Sequence, residues 1–208
     1  MRKLLKLIAV LLFAAITQAS HADVTFNLDT VISGSTPSDS APWLTATFTD
    51  IASDEVQLAL TNNMTSGLNI ADVLFNSAVP ISAFTSVAPQ AGSIGASSFQ
   101  IFDAGLAAGQ FNIVVPFSST FNNASGTLLF TMSGTGLTAD SFNTLSAPGG
   151  TGYLGTSYLM AAEVQGFSDG SNGSIGFTNV SSVPEPEIYA MMGVGLLLIG
   201  FVVHRRRP

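Results

Sequence analysis

Apolar and polar positions alternate in short runs with a period of two through most of the chain. The runs are "VTFNLDTVI" (24–32), "WLTATFTD" (43–50), "EVQLALTN" (55–62), "QFNIVVPF" (110–117), "GTLLFTM" (126–132), "SYLMAAEVQGF" (157–167) and "SIGFTNV" (174–180). A period of two puts successive side chains on opposite faces of a strand, so each run predicts a strand with one buried face. Turn-rich pieces such as "SGSTPSDSAP", "PQAGSIGASS" and "SAPGGTG" separate them. Short strands with such spacers predict an all-β chain, an antiparallel β-sandwich or jelly-roll-like ectodomain. Pro116 cannot donate to a ladder and marks an edge or a strand end. No sustained helical period precedes residue 183, and no internal repeat or boundary divides 23–182.

The two ends break this texture. "MRKLLKLIAVLLFAAITQASHADVTF" opens with Arg2, Lys3 and Lys6, continues with an apolar stretch, and reaches small residues at Ser20 and Ala22. That is the layout of a Sec signal peptide over 1–22, with cleavage expected after Ala22 and the Sec translocon as partner. At the other end, 188–203 is a run of sixteen residues without a charge. As a helix it would be roughly 24 Å long, slightly short for a membrane span. No polar stripe interrupts it, and Arg205, Arg206 and Arg207 follow. The positive-inside rule would hold those arginines in the cytoplasm and the long domain outside. The expected organisation is a signal peptide (1–22), a β-sandwich ectodomain (23–182) and a C-terminal segment with one transmembrane helix (183–208).

Val183, Pro184, Glu185 and Pro186 come just before that apolar run. Pro-Glu-Pro, a short apolar helix and an arginine cluster, in that order, resemble the PEP-CTERM sorting signal of Gram-negative bacteria. The resemblance covers about a tenth of the chain. It implies recognition by exosortase, a membrane transpeptidase-like protease, with cutting at or near the Pro-Glu-Pro. It also implies an inner-membrane-anchored precursor, later at the cell surface or outside the cell, associated with exopolysaccharide and biofilm. The two prolines forbid a continuous helix through the motif and leave an extended segment outside the bilayer. A looser similarity to a set of such proteins lies in 41–50, 136–143 and 161–166, where relatives usually carry histidine in place of Glu163.

Charge changes the picture further. Only 9% of residues are charged, and all six basic ones lie at positions 2–6 or 205–207. Of thirteen acids, Glu185 and Glu187 fall in the tail, which leaves eleven acids, no Lys, Arg or His, and a formal charge of -11 over 23–182. A surface without cations cannot neutralise phosphates, so nucleic acid is excluded as a partner. Arginine clamps and a P-loop lysine are excluded with it. Zero cysteine excludes thiol catalysis and Cys-based metal sites. His21 leaves with the signal peptide and His204 lies in the tail, so a serine triad lacks its base and a His-based zinc site its ligands.

Carboxylate chemistry remains. "TDIASDE" brings Asp50, Asp54 and Glu55 close in sequence, and "SDGSNGS" sets Asp169 near Asn172. Such loops can offer oxygens to Ca2+, although neither matches a known calcium loop, and polar turns use the same residues. A glycosidase needs two placed carboxylates and no base; Asp103, Asp140 and Glu163 are the candidates. Trp43 either stacks on sugar or fills the core, and core filling is the expectation. The reading is an exported, non-catalytic structural or binding protein without a cofactor. The alternatives are a carbohydrate-active enzyme with paired acids and a Ca2+-stabilised carbohydrate-binding module.

Overall fold

A computed structural model describes residues 23–65, 67–87, 104–122, 126–150 and 152–178. They belong to one compact unit, Ala22–Val183. The strands are β1 (Asp23–Leu28), β2 (Thr30–Gly34), β3 (Leu44–Ala52), β4 (Glu55–Asn62), β5 (Asn69–Phe75) and β6 (Ala83–Ser86). They continue with β7 (Ala104–Leu106), β8 (Gly109–Phe111), β9 (Ile113–Phe121), β10 (Thr127–Ser133), β11 (Met160–Gln165) and β12 (Gly173–Phe177). One five-stranded sheet runs β1-β3-β4-β10-β6 and a second β2-β12-β11-β5-β9, while β7 and β8 form a small hairpin. Every pairing is antiparallel. The expected all-β class with two antiparallel sheets is what the chain adopts.

The period-two runs became strands because each buries one face. In β4 the positions alternate strictly, and Val56, Leu58, Leu60 and Asn62 point inward. Opposite them, Leu44, Ala46 and Phe48 of β3 and Leu128, Phe130 and Met132 of β10 do the same. The second sheet answers with Val73, Phe75, Val115, Met160, Ala162, Val164 and Ile175. Between the sheets sits a phenylalanine cluster, with Phe48 stacked on Phe142 at 4.2 Å and in edge contact with Phe75 at 5.4 Å. Phe142 comes from a short 3-10 helix, Ala139–Phe142. The run at 24–32 divides at Asp29: β1 joins the first sheet and β2 the second, so the chain turns a corner of the sandwich there.

Two features depart from a plain two-layer sandwich. The run at 110–117 is interrupted at Asn112, whose backbone N–H donates to Asn76 Oδ1 (2.6 Å) and whose Nδ2 donates to the Ser77 carbonyl (3.0 Å). The outer face of the second sheet also carries its own small apolar cluster: Ile32, Leu74, Ala108, Phe111, Val114, Tyr158 and Ala161. The segment through β8 and the one leading into β11 cover that part of the sheet. Pro116 lies in β9, an edge strand, as its missing donor requires. Among the described residues no helix is long and apolar enough to cross a membrane. The expected signal peptide and the helix at 188–203 lie outside the described residues.

Candidate functional site

Several of the acids that look clustered in the sequence are hydrogen-bonded to backbone amides in the fold. Asp50, at the inward end of β3, accepts a hydrogen bond from the Ala139 backbone N–H at 2.6 Å and so ties the strand to the 3-10 helix. Asp54 sits in the β3–β4 turn at φ 63, a region asparagine and aspartate tolerate best. Its Oδ1 accepts from the Gly136 N–H at 2.6 Å, and its carbonyl from the Gly134 N–H at 3.1 Å. Glu55 opens β4, across from Ser133 and Ala52. Asp169 is exposed and accepts from both the hydroxyl and the backbone N–H of Ser171 (2.6 and 2.9 Å). Those two bonds, the hydroxyl first, hold its carboxyl below the usual range. Asp140 accepts from Asn143 Nδ2 at 2.9 Å. Among the described residues no three acids or histidines converge as a metal site would require.

Trp43 is 7% exposed and packs in the main core. Its indole N–H donates to the Asp39 carbonyl at 2.7 Å, so its polar edge is satisfied without a ligand. Core filling is therefore its role in the structure.

Glu163 is different. On β11 it stands directly opposite Asp72 of β5, a residue that the sequence did not mark. The pair belongs to a row that crosses all five strands of the second sheet: Ser33, Ser174, Glu163, Asp72, Pro116. Three of the four pairings in that sheet change register beside this row, at Ser174/Ile175, Glu163/Val164 and Ile70/Asp72. Directly opposed residues on one face have Cβ atoms roughly 5 Å apart, which brings the Glu163 charge within reach of Asp72. Glu163 Oε1 accepts from Gln165 Nε2 (2.9 Å) and Asn172 Nδ2 (3.0 Å). Asp72 is half-buried, and its Oδ1 is shielded from solvent with no hydrogen-bond partner. Burial first, and the Glu163 charge second, push the Asp72 carboxyl up to about 6, while the Glu163 backbone acts weakly in the opposite sense.

A cleft of about 290 Å³ lies elsewhere, lined by Ser77, Ala78, Val79, Pro80, Ile81, Asn112 and Ile113. It contains no titratable side chain. Asp103 and the processing positions Ala22, Val183, Pro184, Glu185, Pro186, Arg205, Arg206 and Arg207 lie outside the described residues. Of the acids considered for glycosidase chemistry, Asp140 is in the 3-10 helix and Glu163 in β11, and each has its own hydrogen-bonding partners. Asp72 was hidden because "NIADVLF" does not alternate. Its signal was a lone acid inside an apolar stretch of a chain without cations.

These features define an all-β protein whose described residues hold one carboxyl pair and no metal cluster. Its C-terminal segment carries a PEP-CTERM protein-sorting motif, with residues 182–207 matched by that family model. The motif implies an exported, membrane-anchored precursor with exosortase as its processing partner. No curated protein and no solved structure matches the chain.

Proposed function

We propose that the protein is an exported surface or extracellular-matrix component that binds or scaffolds exopolysaccharide and has no catalytic role. The sorting motif at 182–207 carries this reading. The expected route is the Sec translocon, temporary anchoring in the inner membrane, and release by exosortase. The outer face of the first sheet supports a binding role. Thr25 and Thr47 pair across β1 and β3, and a further row runs Asp23, Thr49, Gln57, Thr131, Thr85. Some hydroxyls bond each other, as Thr25 with Thr47 (3.1 Å) and Thr61 with Thr127 (2.8 Å). Such a face offers donors and acceptors to a hydroxyl-rich polymer. The reading includes no cofactor, because Asp50, Asp54 and Asp169 already serve backbone amides. If Ca2+ does raise the melting temperature over that in chelator, the Ca2+-stabilised alternative takes its place.

Mass spectrometry of both termini of the protein from an exosortase-bearing host tests the route. The expected mature form begins at Asp23 and ends at or near Pro184-Glu185-Pro186. A released form that still ends at Pro208 overturns exosortase processing. The opposed Asp72 and Glu163 favour a second reading, a carbohydrate-active enzyme with paired acids. It requires that the protein cleave a polysaccharide and that Glu163→Gln abolish cleavage.

A further inference from the structure

We propose that the opposed Asp72–Glu163 pair holds a single proton, carried by Asp72, and that this makes the second sheet a pH-sensitive element, tightest with the proton bound. The geometry allows few other ways to satisfy the pair. The two residues are directly opposed. One Asp72 oxygen is sealed from water and unpartnered, and a carboxylate oxygen left that way is costly. No lysine, arginine or histidine exists between residues 23 and 182 to neutralise them.

The surroundings decide which member carries the proton. Glu163 already accepts two amide donors, from Gln165 and Asn172, whereas the sealed Asp72 oxygen accepts none. Asp72 faces Pro116 on β9, which brings neither charge nor donor. On β12 the row continues with neutral Ser174. Among the described residues the other titratable groups near this end of the sheet do not compete. Tyr158, in the cluster covering the same face, has its phenol pushed up by burial and stays neutral. Asp169, in the turn before β12, is held ionised by Ser171.

The folded Asp72 carboxyl titrates near 6, above its unfolded value of 3.8, so the folded state holds the extra proton between those values. Its stabilising contribution is complete below the unfolded value and is lost as pH rises through about 6. Ordinary carboxylates have finished ionising by then, so the loss stands apart from theirs.

The test is thermal unfolding of the signal-free, exosortase-processed protein from pH 4.5 to 7.5, in chelator throughout so that no divalent cation replaces the proton. The wild type is expected to lose about 5 °C or more across the upper part of that range. Asp72→Asn should be flat there and melt higher than the wild type at pH 7.5. Glu163→Gln should move the fall to lower pH, since it removes the partner charge and leaves the burial. Carbon-13 NMR of the Asp72 side-chain carboxyl reads the same event in the unmutated protein, whether or not the variants fold. A midpoint near 6 there supports a proton held on Asp72 within the pair. A midpoint near 4, or identical pH profiles for wild type and Asp72→Asn, overturns it.

Discussion

Asn62 shows how a buried polar residue is held by backbone in this fold. Asn62 ends the inward series of β4, where every earlier member is apolar, and it is 2% exposed. Its Nδ2 donates to the Phe121 carbonyl and its Oδ1 accepts from the Met64 N–H, both at 2.9 Å. It therefore closes the end of the core by serving two backbone groups that water cannot reach. Asn62→Ala should lower stability by about 3 kcal/mol, since both groups lose a partner in a buried setting. Asn62→Leu should do no better, because volume is not what the site lacks. Urea denaturation of the three proteins checks this, and a Leu variant as stable as the wild type would show the site to be apolar in demand. Aspartates follow the same logic at the surface. Asp50 and Asp54 were candidate Ca2+ ligands because they are close in sequence, and in the fold they accept from the Ala139 and Gly136 amides, more than eighty positions away. Sequence spacing could not separate a cation ligand from a backbone cap, because both uses want a carboxylate in a turn.

At the level of strands, legibility tracked how regularly a strand alternates. β4 occupies the run at 55–62 without a shift, and β3 and β10 differ from their runs only at the ends. β5 escaped because Ile70, Val73 and Phe75 face the main core while Ala71 sits at a register change, and Leu74 is buried on the opposite face. A bulge and a second buried face each erase the period of two, and β5 has both. β6 escaped because its four residues are too few to show any period. The carboxyl pair was half legible for the same reason, since Glu163 lies in a regular strand and Asp72 beside the bulge. Close packing at the β2–β12 edge depends on glycine. A Cβ at Gly173 would run into the backbone carbonyl of Ser35, whose own N–H bonds Asn172 at 3.1 Å. Gly173→Ala should thus cost roughly 1–3 kcal/mol by forcing the two strands apart. Ser174→Ala, one residue on and facing outward, should stay within about 0.5 kcal/mol. Equal effects in chemical denaturation would mean that the edge yields freely.

For the whole molecule, charge has one sign. Eleven acids and no bases over 23–182 leave no ion pair within that stretch for salt to weaken, only repulsions for it to screen. The described acids are also spread out, with Asp23, Asp29 and Asp169 exposed at separate turns and strand ends. Apart from the opposed Asp72 and Glu163, screening therefore acts on many long distances. The Debye length shrinks from about 30 Å at 0.01 M to about 8 Å at 0.15 M, across the range of such separations. The melting temperature of the processed domain should accordingly rise with added salt, by a few degrees over that interval. Sodium chloride and choline chloride should act alike, since screening needs ionic strength and no particular cation. A melting temperature that stays flat or falls would require attractive charge pairs that the sequence does not contain. A rise with sodium but not with choline would locate a cation site among the carboxylates. A domain whose charges are all negative repels polyanions at low salt, and screening weakens that repulsion. If the proposed polysaccharide role holds, binding to an acidic polymer should therefore strengthen as salt is added, the reverse of what a basic surface does.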